Sequence, residues 1–221
     1  MTPTSPLFWY GIPRGYLPLD LDPSSKRFEL LAEQVLSLPE ELREKADQVF
    51  RFYAGALLLL NQQQVQGCAI GLHPDGCGGI LSSVITVSSM SASGVDPKLV
   101  IATLVKSADE TPVRHIQPLE LPCGTGFLFE EERITTAPGR PSDGTEERLE
   151  GTIWQGTVAV PAVASSEIVI MQLVTSEVDF VDDYRNVLLG FACTLTFIGP
   201  SLAKTESRGD TSVAQARSPF G

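Results

Sequence analysis

The residues that could carry chemistry in this chain are few and stand far apart. The two histidines, His73 and His115, have no second ligand at the spacing that a metal site on one helix or strand uses. His73 stands beside Pro74 in a turn-forming segment, and His115 stands in an alternating apolar run. We therefore expect no metal site and no bound cofactor, and we interpret both histidines as structural.

Nucleophilic and nucleotide chemistry leave signals that are just as weak. The serines of 88–93 lack the G-x-S-x-G nucleophile elbow. A Cys123–His115 pair on neighbouring strands is conceivable, but no basic surroundings that would activate the thiol accompany it. The glycines of 76–79 and 124–126 match neither phosphate-binding pattern, and no helix directly follows the first group.

Carboxylate pairs offer a route to acid–base chemistry. Glu130 and Glu132 would share one face of a strand, where repulsion between them raises the pKa of one carboxyl. The alternative is a solvated strand face whose charges discourage edge aggregation, and this is the interpretation that we favour. Two further pairs are Asp20 with Asp22 and Asp182 with Asp183. With no stronger constellation, we predict that the chain is not an enzyme.

The elements that would position these residues are predicted from apolar spacing. Apolar residues recur every three or four positions from Phe28 to Leu38, and again from Leu42 to Leu60 after Pro39, which suits a first helical turn. Two more helices are expected, a short one after Asp96 and a last one at Phe180–Cys193. The predicted strands are Val65–Leu72, Ile80–Met90, Val113–Leu121, Phe127–Thr135, Thr152–Val160 and Ile168–Val174, with two short strands in 7–21 and a closing strand at Thr194–Ile198.

The order of these elements predicts an α+β fold. Strands follow one another like hairpins, without strict alternation with helices, so a largely antiparallel sheet with helices packed on its faces is expected. The run Ile168–Met171 is apolar on both faces, so the strand Ile168–Val174 should lie at the centre of the sheet. We predict one domain over 1–199 with a mobile loop near 137–148, and a disordered tail over 200–221.

The charge of the chain excludes some partners. Asp and Glu outnumber Lys and Arg by 27 to 16, which gives a net charge of -11 and disfavours nucleic acid and anionic membranes. Neither a signal peptide nor a transmembrane run is evident, so we expect a cytoplasmic protein without membrane insertion. Its four cysteines are then expected to be free thiols, with Cys193 buried and Cys77 exposed.

The whole order of elements resembles the Mog1/PsbP-like α/β sandwich. The resemblance rests on the short strands around Trp9–Leu21, the helical stretch 28–64, the hairpin 65–90, and the closing pattern from Gln172 to Phe197. The chain also resembles an uncharacterised family of actinobacterial cytoplasmic proteins. What the resemblance implies is a binding module, since such relatives bind Ran, assist photosystem assembly or act as chaperones in bacterial secretion systems. Two consecutive helices, where one is expected, depart from the pattern.

The N-terminal aromatic cluster is the candidate binding site. Phe8, Trp9 and Tyr10 are adjacent, and alternate residues of a strand face opposite sides, so at least one of the three should be exposed. Exposed aromatic residues are often contact residues in binding sites. The simpler alternative is that Trp9 caps one end of the core and Tyr10 lies at its rim.

These observations lead to a functional hypothesis with two alternatives. We expect a non-catalytic protein-binding domain, an adaptor or chaperone-like module linked to a bacterial secretion or assembly system, whose partner is another protein. Its ligand would lie on a concave sheet face or in a groove lined by aliphatic side chains. The alternatives are a small-molecule-binding protein or cofactor-free enzyme with a pocket between sheet and helices, and a structural subunit of a homo-oligomer.

Overall fold

Apolar spacing and turn chemistry place the helices and strands close to their predicted positions. A computed structural model of the chain describes residues 8–75, 77–92, 100–101, 113–136, 150–162 and 166–197, without the side chains at 48, 52 and 113–115. The long helices in this part are α1 (Ser25–Ser37), α2 (Glu40–Gln62) and α3 (Val181–Ala192). Its strands are β1 (Tyr16–Pro18), β2 (Val65–Pro74), β3 (Ile80–Ser91), β4 (Val113–Leu121), β5 (Gly124–Thr136), β6 (Glu150–Ala162) and β7 (Glu167–Thr175).

The described strands form a single open sheet in the order β1-β2-β3-β7-β6-β5-β4, and every neighbouring pair is antiparallel. The predicted α+β class with a largely antiparallel sheet is therefore confirmed. β7 occupies the middle position, as its apolar residues on both faces predicted. Both edge strands contain a proline, Pro18 in β1 and Pro118 in β4, which interrupts the row of donors that an edge would otherwise expose.

One face of the sheet carries the main core, and α3 covers it. Leu188 and Phe191 of α3 pack against Trp154 of β6 and Met171 of β7, and all four side chains are almost completely buried. Gly156 lies beneath this contact, where an added Cβ would stand 2.7 Å from Leu188 Cδ2. The helix can approach the sheet this closely because Gly156 has no side chain.

Among the residues that the structure describes, the opposite face is covered only in part. Ile101, in a short helical piece, packs on Ala159 and Ile168 and is 1% exposed. The rest of this face includes a row of half-buried polar side chains, in which the Gln172 amide donates to the Thr157 hydroxyl at 3.3 Å. Within the described part of the chain, α3 thus forms a second layer on one face of the sheet, and the other face remains partly open.

α1 and α2 form a helical hairpin beside the β1 end of the sheet. Pro39 precedes α2, and Glu40 and Glu41 fill its first turn, where the helix dipole favours carboxylates. At the base of the hairpin Tyr53 donates to the Asp20 carbonyl at 3.4 Å, and Asn61 donates to the Leu21 carbonyl at 3.2 Å. The hairpin is therefore tied to the segment that follows β1.

Several predictions about the chain ends are wrong. In place of a strand at Thr194–Ile198 there is a single bridge, in which the Thr196 and Trp9 main chains exchange hydrogen bonds at 2.8 and 2.9 Å. Of the two strands predicted in 7–21, β1 is the one that forms among the described residues. Cys193 is exposed, because the turn of α3 that buries Phe191 directs Cys193 outwards, whereas Cys77 is exposed as predicted.

The cysteines are free thiols, as predicted. The predicted mobile loop near 137–148 and the tail 200–221 lie outside the described residues. So does the predicted helix after Asp96, except for Val100 and Ile101, which are helical.

Candidate functional site

The N-terminal aromatics lie against the end of α3. Phe8 is buried, and Trp9 and Tyr10 are half-buried. The Tyr10 ring stacks on Phe8 with centroids 6.1 Å apart and meets the Phe191 ring edge-on at 5.6 Å. Phe8 therefore belongs to the core, and Tyr10 extends it outwards. The exposed aromatic contact surface that adjacency suggested is reduced to parts of Trp9 and Tyr10.

Tyr10 also closes a small apolar cavity beside β2. The cavity has a volume of about 150 Å³ and lies between the N-terminal segment, Ala69 and Phe191. Burial raises the pKa of the Tyr10 hydroxyl, and the nearby Cys68 thiol adds to the shift. An added Cβ at Gly67 would clash with this hydroxyl, so the absence of a side chain there makes room for the ring. This volume is smaller than the ~300 Å³ of the smallest typical ligand pockets.

The nucleophile candidates lie in surroundings that do not activate them. Cys123 is half-buried, and burial raises the pKa of its thiol. Cys68 is buried, and its pKa is raised to about 11 by the same cause. Because the thiolate is the nucleophile, both shifts oppose cysteine chemistry at neutral pH. The side chain of His115, the conceivable partner of Cys123, lies outside the described part of the chain.

His73 lies at the end of β2, where it pairs with Leu81 of β3, so it is a strand residue next to the predicted turn. Its ring meets Tyr16 at a centroid distance of 5.5 Å. In the same turn Asp75 accepts the backbone N–H groups of Cys77 and Gly79 at 2.7 Å each, and these bonds lower the pKa of the carboxyl. The turn is thus built by its own side chains, as a hairpin loop requires.

Glu130 corrects the prediction of a solvated carboxylate face. Its side chain is 7% exposed and lies on the α3 face, where Oε1 accepts the Arg185 Nε–H at 2.7 Å. Arg185 also pairs with Asp182 one turn earlier in α3. Burial alone would lower the pKa of the guanidinium, but hydrogen bonds to the two carboxylates raise it overall. The pair fastens α3 to β5, which sequence spacing could not show because 55 residues separate its members.

The partly open sheet face has a shallow pocket of about 200 Å³. Ala159 and Ile170 form its floor and Phe129 one wall, and the polar groups of Gln155 and Thr157 point along it. At its edge the Arg133 guanidinium donates to the Gln155 side-chain oxygen at 3.2 Å. This is a small concave site on β5, β6 and β7, with a few polar groups among its lining residues.

A third concavity, larger than the two already described, lies between the two helices of the hairpin. This helical groove has a volume of about 870 Å³. Apart from Arg27, Gln34, Ser37 and Lys45, its lining is made of apolar and aromatic side chains, which are Leu31, Val35, Leu38, Ala46, Val49, Phe50 and Tyr53. The seam beneath it is aromatic, since Phe28 meets the rings of Phe50 and Tyr53 at 6.0 Å each.

The helical groove is uncovered, and burial within the hairpin is slight. α1 has no buried residue, and among the described side chains of α2 only Leu57 is fully buried. Val49 lines the groove and has 67% of its surface exposed, and Leu42, two turns earlier in α2, is 54% exposed. Two helices alone bury one seam and leave the outer sides of their apolar residues in water, so a further layer is needed to cover them.

Electrostatics distinguish the hairpin from the rest of the chain. α1 and α2 carry five basic and six acidic side chains, so they are nearly neutral in a chain of net charge -11. At the groove itself Arg27 is already paired with Asp20 at 2.7 Å, which leaves Lys45 as the second charged lining residue. A nearly neutral surface is the part of an acidic protein where approach of another acidic protein costs least.

Sequence reasoning did not single out the residues of the helical groove. The three- and four-residue spacing of Leu42, Val49 and Tyr53 predicts an amphipathic helix, and the predicted fold packs its helices on the sheet. Periodicity shows that a helix has an apolar face and does not show what that face meets. One signal in the sequence is that α2 has more apolar residues than a single face can hold, which indicates that more than one of its sides needs an apolar partner.

Similarity to known proteins gives no family for this chain. No protein-family model, no curated protein and no solved structure matches this chain. The resemblance to the Mog1/PsbP-like sandwich therefore stays a prediction. No group of three or more metal-binding side chains occurs among the residues that the structure describes, and none of the described helices is long and apolar enough to cross a bilayer.

Proposed function

We propose that this chain is a protein-binding domain of the adaptor or chaperone-like kind, and that its contact surface is the helical groove between α1 and α2. The observation that carries this proposal is the exposure of the groove. Only one of the described side chains of the hairpin is fully buried, and the large apolar side chains of Leu42 and Val49 are exposed to water. Exposed apolar grooves of this kind accept amphipathic protein segments.

The chemistry of the other sites supports the same reading. The described thiols are exposed or have pKa values raised by burial, Glu130 is engaged with Arg185, and the two smaller cavities lie below the usual size of a ligand pocket. The helical groove is larger than both, and its lining is mostly apolar. A binding role in the cytoplasm, with a secretion or assembly system as its setting, is part of this proposal.

Site-specific photocrosslinking tests the proposal. A photoreactive phenylalanine analogue replaces Val49 in one variant and Ile80, a residue of equal exposure at the start of β3, in the matched control. Both full-length proteins are irradiated in lysate of the source cells. We expect discrete protein adducts from position 49 and only background from position 80. Equal background at both positions would remove the helical groove as a contact surface.

A small-molecule site is the second candidate, and the pocket on the partly open sheet face favours it. Gln155 and Thr157 supply hydrogen-bonding groups above an aliphatic floor, so a ligand would be a fragment-sized polar molecule. A fragment screen by thermal shift, repeated on Thr157→Val, tests this. Stabilisation of the wild type that the variant loses would favour the pocket, and no stabilising fragment would count against it.

A further inference from the structure

We infer that the occupant of the helical groove is a second copy of this chain, so that two hairpins pack into a four-helix arrangement about a two-fold axis. This inference rests on the proposed function, because it uses the same groove and names its partner. Three observations carry it, which are the spacing of apolar residues along α2, the size of the hairpin face and its charge.

The spacing along α2 suits a helix of the same sequence. Leu42, Ala46, Val49, Tyr53, Ala56 and Leu60 succeed one another at alternating intervals of four and three residues. This is the spacing of a coiled-coil seam. Such a seam recurs every seven residues on one side of a helix, so it can meet another seam along most of its length.

An antiparallel crossing of two α2 helices pairs these positions well. With the two-fold axis midway between positions 47 and 48, Ala46 lies opposite Val49 of the second copy, and Leu42 lies opposite Tyr53 of the second copy. Four of the six seam positions are paired in this way, whereas Ala56 and Leu60 extend past the start of the partner's α2 at Glu40. Ala46 and Val49, which are smaller than Leu42 and Tyr53, meet next to the axis, where helices that cross at an angle are closest. A closed two-fold contact needs such self-complementarity.

The size of the hairpin face is adequate for a dimer. α1 and α2 contain 13 and 23 residues. About half of these positions, roughly 18, can face one side, which is close to the ~20–30 residues per partner of a stable interface. Leu31 and Val35 of α1 would flank the central α2 pair, giving the layered core of a four-helix bundle.

The charge distribution favours this surface for self-association. Two copies of a chain with net charge -11 repel each other at most approaches. The hairpin carries a net charge of only about one unit, so the rest of the chain holds most of the acid excess. Contact through the helical groove places the nearly neutral parts together and the acidic parts outside.

Sedimentation velocity on the full-length chain tests the inference. We expect a concentration-dependent mass of twice the 23.8 kDa of one chain. Val49→Lys should raise the dimer dissociation constant at least about 100-fold, because each dimer contains the change twice and each copy loses an apolar contact of about tenfold in affinity. Ile80→Lys, at equal exposure away from the hairpin, should leave the mass unchanged.

Each outcome bears on the inference in a definite way. A wild type that stays monomeric at every concentration overturns it, and a dimer that persists in Val49→Lys overturns it by placing the contact elsewhere. Circular dichroism checks that Val49→Lys is folded, and Leu42→Lys replaces it if it is not. The two proposals can fail separately. A monomeric wild type whose position 49 crosslinks to a different protein in lysate excludes the second copy and leaves the proposed function standing, whereas a monomeric wild type with only background crosslinking overturns both.

Discussion

The Glu130–Arg185 pair gives the sharpest test of how α3 is held on the sheet. Its hydrogen bond joins Arg185 Nε to Glu130 Oε1 at 2.7 Å, and the two side chains differ in exposure, at 32% for Arg185 and 7% for Glu130. A charge-assisted hydrogen bond contributes about 1.5–3 kcal/mol. The difference in exposure means that the two single substitutions should not cost the same.

Glu130→Ala frees a guanidinium that can still reach water and Asp182, so we expect it to lower the free energy of unfolding by about 1.5–3 kcal/mol. Arg185→Ala leaves a nearly buried carboxylate without its counter-charge, and we expect about 3–5 kcal/mol. The double variant should recover part of this loss, giving a coupling energy of about 1.5–3 kcal/mol.

Urea denaturation of the wild type, both single variants and the double variant measures these values as a double-mutant cycle. Arg133→Ala is the matched control. It removes a contact of 3.9 Å with Glu131 and a hydrogen bond to Gln155, but the Arg133 side chain is 56% exposed, so the change should cost less than about 1 kcal/mol. A coupling energy within ~0.5 kcal/mol of zero, the usual limit of additivity, would show that the pair does not fasten α3 to β5. A larger loss in Glu130→Ala than in Arg185→Ala would refute the argument from exposure.

Three further predictions concern packing and pH. Gly156→Ala places a Cβ 2.5 Å from Trp154 Cη2 and should cost about 1–3 kcal/mol in urea denaturation, whereas Gly151→Ala on the same strand meets nothing within 4 Å and should cost less than about 1 kcal/mol; equal losses would contradict this. Tyr184→Phe removes a buried hydroxyl that has no hydrogen-bond partner among the described residues, so its melting temperature should equal or exceed that of the wild type. The pKa of Cys68 is raised from 9.0 to about 11, so its contribution to stability is complete below pH 9 and is lost as the pH rises towards 11. Between pH 8 and 11 the melting temperature should therefore fall less steeply with pH in Cys68→Ala than in the wild type. Parallel plots of melting temperature against pH would contradict the raised pKa of Cys68.

Much of the fold was predictable because it depends on local pattern. Three- and four-residue spacing marked α2, and Pro39 marked its start, since both are properties of the segment itself. The segment that begins at Ile168 has apolar residues on both faces, and this pattern predicted the central position of β7. Such a pattern is typical of a strand that is covered on both sides. The α+β fold class followed from the order of such segments along the chain.

The chain ends were less predictable because their conformation depends on a neighbour far along the sequence. The Trp9–Thr196 bridge joins segments 187 residues apart by main-chain bonds that carry no sequence signal. Cys193 looked apolar from its neighbours, yet the end of α3 directs it outwards. The positions of the aromatic cluster were equally hard to predict, because Tyr10 packs on Phe191 of α3 and Phe8 stacks on Tyr10.

By itself the sequence determined which segments are helices and strands, which faces are apolar, and that the chain is acidic. Only the tertiary structure decided what each face meets. It buried Glu130 by supplying Arg185 from α3, and it left Leu42 and Val49 uncovered by placing the hairpin beside the sheet instead of on it. The physical reason is that periodicity records the direction in which a side chain points, whereas burial requires a second surface, and that surface comes from residues distant in the chain.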